Sequence, residues 1–234
     1  MLFKIDSRIF QKFPGLVVGA VIVKGANNSG EIPEIQAGLR EQESRIKSEF
    51  QLPTLSQHPK IDAWRKAYSA FGGKPKENRS SVENLYRMVL QGVQLRHISK
   101  LVDIYNFISL KHMLPAGGED LDKAKGDILL TFAGANEAPV LLLGEKEPRP
   151  PHEGEVIYMD GISTICRRWN WREADRTKLT EETKNCILVI EGLPPITKEE
   201  IENATRELSE LVQKFCGGNI AYLLLDENKQ EIES

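Results

Sequence analysis

The chain has 234 residues, 40% of them hydrophobic and 28% charged, with a net charge of −3. That length supports one large domain or two small ones around a real core, and the composition excludes wholesale disorder. The mildly acidic balance excludes a protein that coats a nucleic-acid backbone. Any RNA contact must be a local basic site, and no DNA partner is expected.

The opening Met1–Asp6 lacks the long apolar run of a signal peptide. Nowhere do about 18 apolar residues follow one another, so no membrane span is expected. Residues 16–24 are rich in β-branched residues and follow the Pro14-Gly15 turn signal, which predicts a buried strand. Between about 31 and 71 the pattern is helical, with Ile35, Leu39, Ile46 and Phe50 and then Ile61, Trp64 and Tyr68 at helical spacing. A Gly/Pro loop carrying positive charge, residues 71–76, comes next. Ser80 followed by Glu83 has the spacing of a capping box, with Val82, Leu85, Met88 and Val89 as the apolar stripe behind it.

A third helix is predicted from about 99 to 112, apolar around most of its circumference and therefore deeply buried. Beyond Pro115 the character changes. Short apolar runs at 127–133, 139–143, 155–159 and 186–190 are separated by turn residues, as strands are. Thr197 and Glu200 form a second capping box, opening a helix that Gly217-Gly218 ends. Residues 220–225 read as a last strand, and the Glu/Lys-rich tail as a fraying end. Helices first, strands after, then a closing helix and strand define the class as α+β.

Cys166, Cys186 and Cys216 are odd in number and far apart, with neither a CxxC pair nor a disulfide framework, which suits a reducing cytoplasm. His58, His97, His112 and His152 complete no zinc signature with them, so no metal and no cofactor are expected. His112 reads as a helix C-terminal residue near free carbonyls.

Three stretches can carry chemistry. On the apolar helix, Asp103 and Asn106 are three apart and share a face. Buried, each needs a defined partner. Either they brace neighbouring backbone, or Asn106 offers its amide to an amino-acid ammonium or a reacting carbonyl. Cys166–Arg172 is the second stretch. If extended, its period of two puts Arg168, Asn170 and Arg172 on one face and Arg167, Trp169 and Trp171 on the other. Indoles that stack on bases beside guanidinium groups that clamp phosphate suit single-stranded nucleic acid. A core strand with two buried tryptophans and solvated arginines explains the same letters. The third is Thr183 and Asn185, two apart at the entry to the apolar strand 186–190.

Val102–Leu110, Leu114-Pro115, Asp120-Leu-Asp122, Gly126–Ile128, Phe132-Ala133, Asn136-Glu137 and Thr183–Leu188 follow one another in an order that resembles the B-three/B-four domain of the phenylalanyl-tRNA synthetase beta subunit. The likeness spans about residues 81–192. Ala63–Tyr68, Phe71–Pro75, Ser80–Val82 and Arg167–Arg172 are similar to its stand-alone branch. The length leaves no room for a catalytic aminoacylation domain, as that branch requires. Two departures stand out: Gly117-Gly118 replace a histidine soon after the Leu-Pro pair, and the Arg/Trp segment replaces a glycine-rich loop.

In the synthetase this domain hydrolyses tyrosine wrongly attached to the phenylalanine tRNA. The resemblance implies a single compact domain with a mixed or antiparallel sheet, or a barrel-like β core, packed by helices. Residues 1–80 would supply a strand and helical segment packed on it, 81–192 the editing-type domain, and 193–234 a completing helix and strand. It implies an editing pocket near Asn106, Thr183 and Asn185, with aminoacyl-tRNA, gripped at its acceptor end, as partner. An aminoacyl ester is already activated, so positioning and oxyanion donors are enough to hydrolyse it. Arg168 and Arg172 are then expected to hold the terminal phosphates, beside Arg167, Trp169 and Trp171, while Glu137 or Asp160 orients water. Two other readings remain: a module that binds aminoacyl-tRNA or an amino acid without cutting it, and a small-molecule hydrolase or sensor. Contact with a synthetase is a further expectation.

Overall fold

A computed structural model describes residues 1–233. Among the described residues, ten strands and six α-helices follow in this order: β1 (Leu2–Ile5), α1 (Ser7–Lys12), β2 (Val17–Lys24), α2 (Pro33–Glu49), α3 (Pro59–Ala70), α4 (Ser81–Leu90), α5 (Lys100–His112), β3 (Ala116–Asp120), β4 (Ile128–Phe132), β5 (Val156–Met159), β6 (Thr164–Arg167), β7 (Arg172–Glu173), β8 (Cys186–Gly192), α6 (Lys198–Cys216), β9 (Asn219–Leu225) and β10 (Glu231–Glu233). The class is α+β. The strands form two sheets. One has the order β10-β1-β4-β5-β6-β7 and is mixed, because β1 runs parallel to β4. The other, β3-β8-β2-β9, is antiparallel throughout. Both sheets draw strands from the first 80 residues, from 81–192 and from the chain's last segment.

β2 is buried along nearly all its length, and its unbroken Val/Ile/Ala run is what a central strand covered on both faces requires. On β8, alternation sends Ile187, Val189 and Glu191 to one face and Leu188 and Ile190 to the other. Helix α6 lies over β8, β2 and β9, and α5 packs beside it against β3, with α2 on its outer side. Thr197 caps α6 through the reciprocal bonds expected of a capping box, accepting from the Glu200 N–H at 3.2 Å while Glu200 accepts from the Thr197 N–H at 2.9 Å.

Five expectations need correction. The tail is no fraying end, because Glu231–Glu233 pair with Leu2–Lys4 at the edge of the mixed sheet. The helical stretch 31–71 is broken at Phe50–His58, where α2 ends and Pro59 opens α3. Residues 139–143 form no ladder and make only the isolated bridges Val140–Arg149 and Leu142–Ala174. Ser80 and Glu83 build no capping box. Glu83 is fully buried and held by Arg65 at 2.9 Å and Arg87 at 2.8 Å, so its carboxylate is committed to two guanidiniums before it can reach the helix end. His112 pairs through Nε2 with Glu207 at 2.7 Å, which helps hold that carboxyl at a pKa of about 2. No helix among the described residues is long and apolar enough to cross a membrane, and no group of three or more His, Cys, Asp or Glu is arranged to hold a metal ion.

The contact between α6 and β2 is set by Gly19. A Cβ there would sit 1.8 Å from Thr205 Oγ1 and 2.9 Å from its Cβ, with no room to shift a helix that is packed along its length. Gly19→Ala is therefore expected to lower the unfolding free energy by about 1–3 kcal/mol in urea titrations. Adding Thr205→Ala, which removes the nearer atom, is expected to restore part of the loss.

Candidate functional site

The polar centre of the molecule is Glu191, at the end of β8 and 1% exposed. Among the described residues no cation pairs with it. It accepts instead from Tyr158 Oη at 2.5 Å, Trp169 Nε1 at 2.7 Å and Asn170 Nδ2 at 2.7 Å. Asn170 Oδ1 in turn accepts from Tyr68 Oη of α3 at 3.0 Å, and its carbonyl accepts from Ser81 N at the start of α4. Burial raises the Glu191 pKa while the three donors oppose that rise. The network reaches the end of β6 through a sharp turn: Arg168 and Trp169 both have left-handed backbone, φ 47° and 68°. That conformation costs about 1–2 kcal/mol per non-glycine residue, and the network holds it in place. Trp169 is driven into the core against Trp64 and Phe13, at ring separations of 5.0 and 4.8 Å.

Above this centre, between the two sheets and beneath α4 and α5, lies a cavity of about 370 Å³. Its walls are mostly apolar, with Phe3, Leu85, Val102, Ile128 and Val189 among them. Among the polar groups that enter are Asn106 and Tyr105 of α5, Glu119 of β3, Glu173 of β7, Glu191 and Arg172, with Ser81 and Asn84 of α4 and Tyr158 and Asn170 of the Glu191 network also on the wall. Asn106 makes no side-chain hydrogen bond among the described residues. Burial lifts the carboxyl of Glu119 well above its ordinary value, and the charge of Glu173 lifts it further. The Thr177 hydroxyl is near enough to oppose that shift but makes no hydrogen bond of normal geometry, and Glu119 Oε2 has no partner. Part of the Glu173 surface is open to the cavity, yet it lies deep enough that burial raises its pKa to about 7. Cys166 also borders the cavity, and burial pushes its thiol far up, so it is an inert wall and not a nucleophile. At the rim, the Trp171 ring is flanked by the guanidiniums of Arg168 and Arg172, 4.4 and 4.8 Å from its centre. Arg168 also borders a small hollow shared with Lys74 and His152.

This geometry sorts the candidate residues. Asn106, Trp169, Trp171 and Arg172 meet at the cavity, with Arg168 next to it. The extended reading of 166–172 is overturned, because the left-handed turn breaks the period of two. Arg167 is buried and makes a bidentate pair with Glu155 at 2.9 and 2.7 Å, and Trp169 is fully enclosed, so neither is free to touch a nucleic acid. Thr183 and Asn185 lie outside the cavity. Thr183 donates to Asp120 at 2.6 Å, and Asn185 ties Asp122 to the Gly25 N–H, so both fasten the entry of β8. Asp160 also lies outside. Burial raises its pKa, but the N–H groups of Lys125, Ile162 and Ser163 and the Arg176 guanidinium hold it below its usual range, which makes it a loop anchor. Glu137 accepts from Gly134 N at 3.0 Å in a loop away from the cavity. Asp103 takes the bracing role, accepting from Gln36 at 2.6 Å and from Ile98 N at 3.2 Å, with His97 Nδ1 at 2.6 Å.

Sequence reasoning missed Glu119, Glu173 and Glu191. Glu191 carried a signal, since it continues the Ile187, Val189 face of an apolar strand. Glu119 carried a weaker one, and Glu173, next to Arg172 in a charged stretch, carried none.

The family model described as "B3/4 domain" matches residues 63–217. The phenylalanine–tRNA ligase beta subunit of Fusobacterium nucleatum is 29% identical over 119 residues, covering 51% of this chain and 14% of that protein. The same subunit of Bordetella pertussis is 27% identical over 110 residues, covering 47% of this chain and 13% of its own length. The chain thus spans only a small part of the curated relatives it matches. An N-terminal fragment of the phenylalanyl-tRNA synthetase beta subunit from Pyrococcus horikoshii aligns over 93% of this chain and 49% of that one, with a TM-score of 0.44 and 16% identity.

Two outcomes follow from the carboxyls. Glu191→Ala strands three buried donors, so it is expected to cost about 2–5 kcal/mol in chemical denaturation. The raised pKa of Glu173 means that the folded chain holds its proton more tightly than the unfolded chain does. Its contribution to stability is therefore lost as pH rises through about 7 and regained below. Glu173→Gln is expected to raise the melting temperature at about pH 8, with the gain shrinking as pH falls towards about 5. A gain that grows on acidification would contradict the assignment.

Proposed function

The chain belongs to the B3/4 domain family, and we propose that it is a free-standing deacylase that takes the amino acid of a mischarged tRNA into the cavity between its two sheets. The observation that carries this reading is the division of labour around the cavity. At about 370 Å³ it is at the small end of ligand pockets, suited to one amino-acid residue and not to a nucleotide. Its walls are mostly apolar, Asn106, Tyr105 and the carboxyls are among the polar groups that enter it, and its rim carries a cation-flanked indole. An amino-acid side chain would occupy the apolar part. The ester carbonyl would meet the free amide of Asn106, whose N–H groups would stabilise an oxyanion. The terminal adenosine would lie against Trp171, with phosphates along Arg172, Arg168 and Lys74. These cations are spread along one rim, which reconciles RNA contact with a net charge of −3. The expected setting is the cytoplasm, where charged tRNA and the synthetases are found.

Thr183, Asn185, Glu137 and Asp160 lie outside the cavity and are held by hydrogen bonds of their own, which supports a second reading, in which the cavity grips an aminoacyl-tRNA or amino acid without cutting it. A panel of correctly and wrongly charged tRNAs separates the two. The deacylase reading expects rapid release of one mischarged amino acid, slowed about tenfold to a hundredfold by Asn106→Ala with folding intact. Arg172→Ala is expected to raise KM more than it lowers kcat, and to reduce the slope of log affinity against log salt by about 1. Salt-sensitive tRNA binding with no turnover on any member would establish the binding module. Ligand binding indifferent to tRNA and to salt would point to a small-molecule hydrolase or sensor.

A further inference from the structure

Glu119 and Glu173 come from different sheets, and the Glu191 network accounts for neither. Glu119 is 8% exposed, borders the cavity, and leaves Oε2 without a partner among the described residues. Glu173 is brought to the same wall by a gap in β3: a Cβ on Gly117 would lie 3.0 Å from Glu173 Oε1. The Gly118 N–H supports the Glu173 carboxylate. The groups facing the pair do not neutralise it. Tyr105 from α5, Tyr158 from β5 and Cys166 from β6 are neutral, and Glu191 from β8 and Asp160 behind Glu119 carry the same sign. Arg176 is close enough to be felt, but its guanidinium is spent on Asp160, Ser163 and the Lys123 carbonyl. Arg172 turns instead to Glu145 and Trp171.

Two carboxyls in an apolar cavity without a cation are costly to ionise. In the free protein the pair lowers that cost by keeping a proton. A bound cation would replace it. A metal ion is a poor candidate, because among the described residues no group of three or more His, Cys, Asp or Glu is arranged to hold one. A primary ammonium needs three acceptors, and the wall offers Glu119, Glu173 and the Asn106 carbonyl oxygen or Tyr105 hydroxyl beside them.

We propose that the Glu119–Glu173 pair is a receptor for a primary ammonium group, so that the cavity selects ligands carrying the free α-amino group of an amino acid and rejects N-acylated ones. The inference rests on reading the cavity as an amino-acid site. It does not depend on hydrolysis.

The test is calorimetric binding at neutral pH of leucinol, methioninol, phenylalaninol and tyrosinol, which carry a charged ammonium and no scissile ester. Each is compared with its N-acetyl derivative, in two buffers of different ionisation enthalpy. At least one amino alcohol is expected to bind about tenfold or more tightly than its N-acetyl form, with release of about one proton as the ammonium displaces the one held by the pair. Glu119→Gln and Glu173→Gln are each expected to weaken that binding by about tenfold or more and to reduce the proton release. Both are expected to remain folded, since each removes a buried charge. N-acetyl derivatives binding as well as the free amines, binding unchanged in both variants, or no binding by any amino alcohol would overturn the proposal. Charged tRNA that is bound but never deacylated, together with amine-selective binding, would sink the deacylase reading and leave this one standing.

Discussion

The buried carboxylate of Glu191 holds the rest of the site in register. It sits on the antiparallel sheet and takes its hydrogen bonds from the mixed one, through Tyr158 on β5 and through Trp169 and Asn170 just beyond β6. Apolar contacts between the two sheets are non-directional and tolerate sliding. A carboxylate needing several donors does not tolerate it. The cost of burying it is offset by a requirement for one arrangement of two sheets, one turn and, through Asn170, two helices.

The same interaction explains the rim. Trp169 can reach Glu191 only if the chain reverses sharply after β6, and the left-handed pair Arg168 and Trp169 is that reversal. Strain of this kind survives where the surroundings over-determine it. Here a bidentate Arg167–Glu155 pair fixes the strand before the turn, and the buried indole fixes the residue after it. Arg168 and Trp171 are left facing outward on a rigid support, so the cavity mouth and the core bridge are two ends of one device.

The parts of this architecture with a short-range cause were legible in the letters. α5 announced itself by its apolar circumference, α6 by Thr197 and Glu200, and the strand 186–190 by its β-branched run. Ser80 and Glu83 had the same spacing as Thr197 and Glu200 and behaved differently. Arg65 and Arg87 outcompete a backbone N–H for Glu83, and only the fold brings Arg65 near. The Arg/Trp segment failed for a related reason. Period-two reasoning assumes a continuous strand, whereas a carboxylate 22 positions away in sequence from Trp169 decides where it goes. Asn106 was visible beforehand, because an amide on an otherwise apolar helix has few bland explanations. Thr183 and Asn185 had many, and a bland one prevailed.

The three acids around the cavity divide into two kinds, and the division bears on what the cavity is for. Glu191 has three donors, and folding accounts for its position. Glu119 and Glu173 are under-supplied, and folding alone would be better served by neutral residues there, since burying a carboxyl without a partner works against stability. A fold that keeps such groups has either an unfilled requirement or a use for it. Gly117 argues for use, because a Cβ there would crowd Glu173 Oε1 at 3.0 Å. On the proposed reading, recognition is then split by range. The rim cations, each already paired or stacked in the free protein, contribute a weak and salt-sensitive attraction, and discrimination falls to the acids inside, where low dielectric makes one charge more or less on the ligand count most.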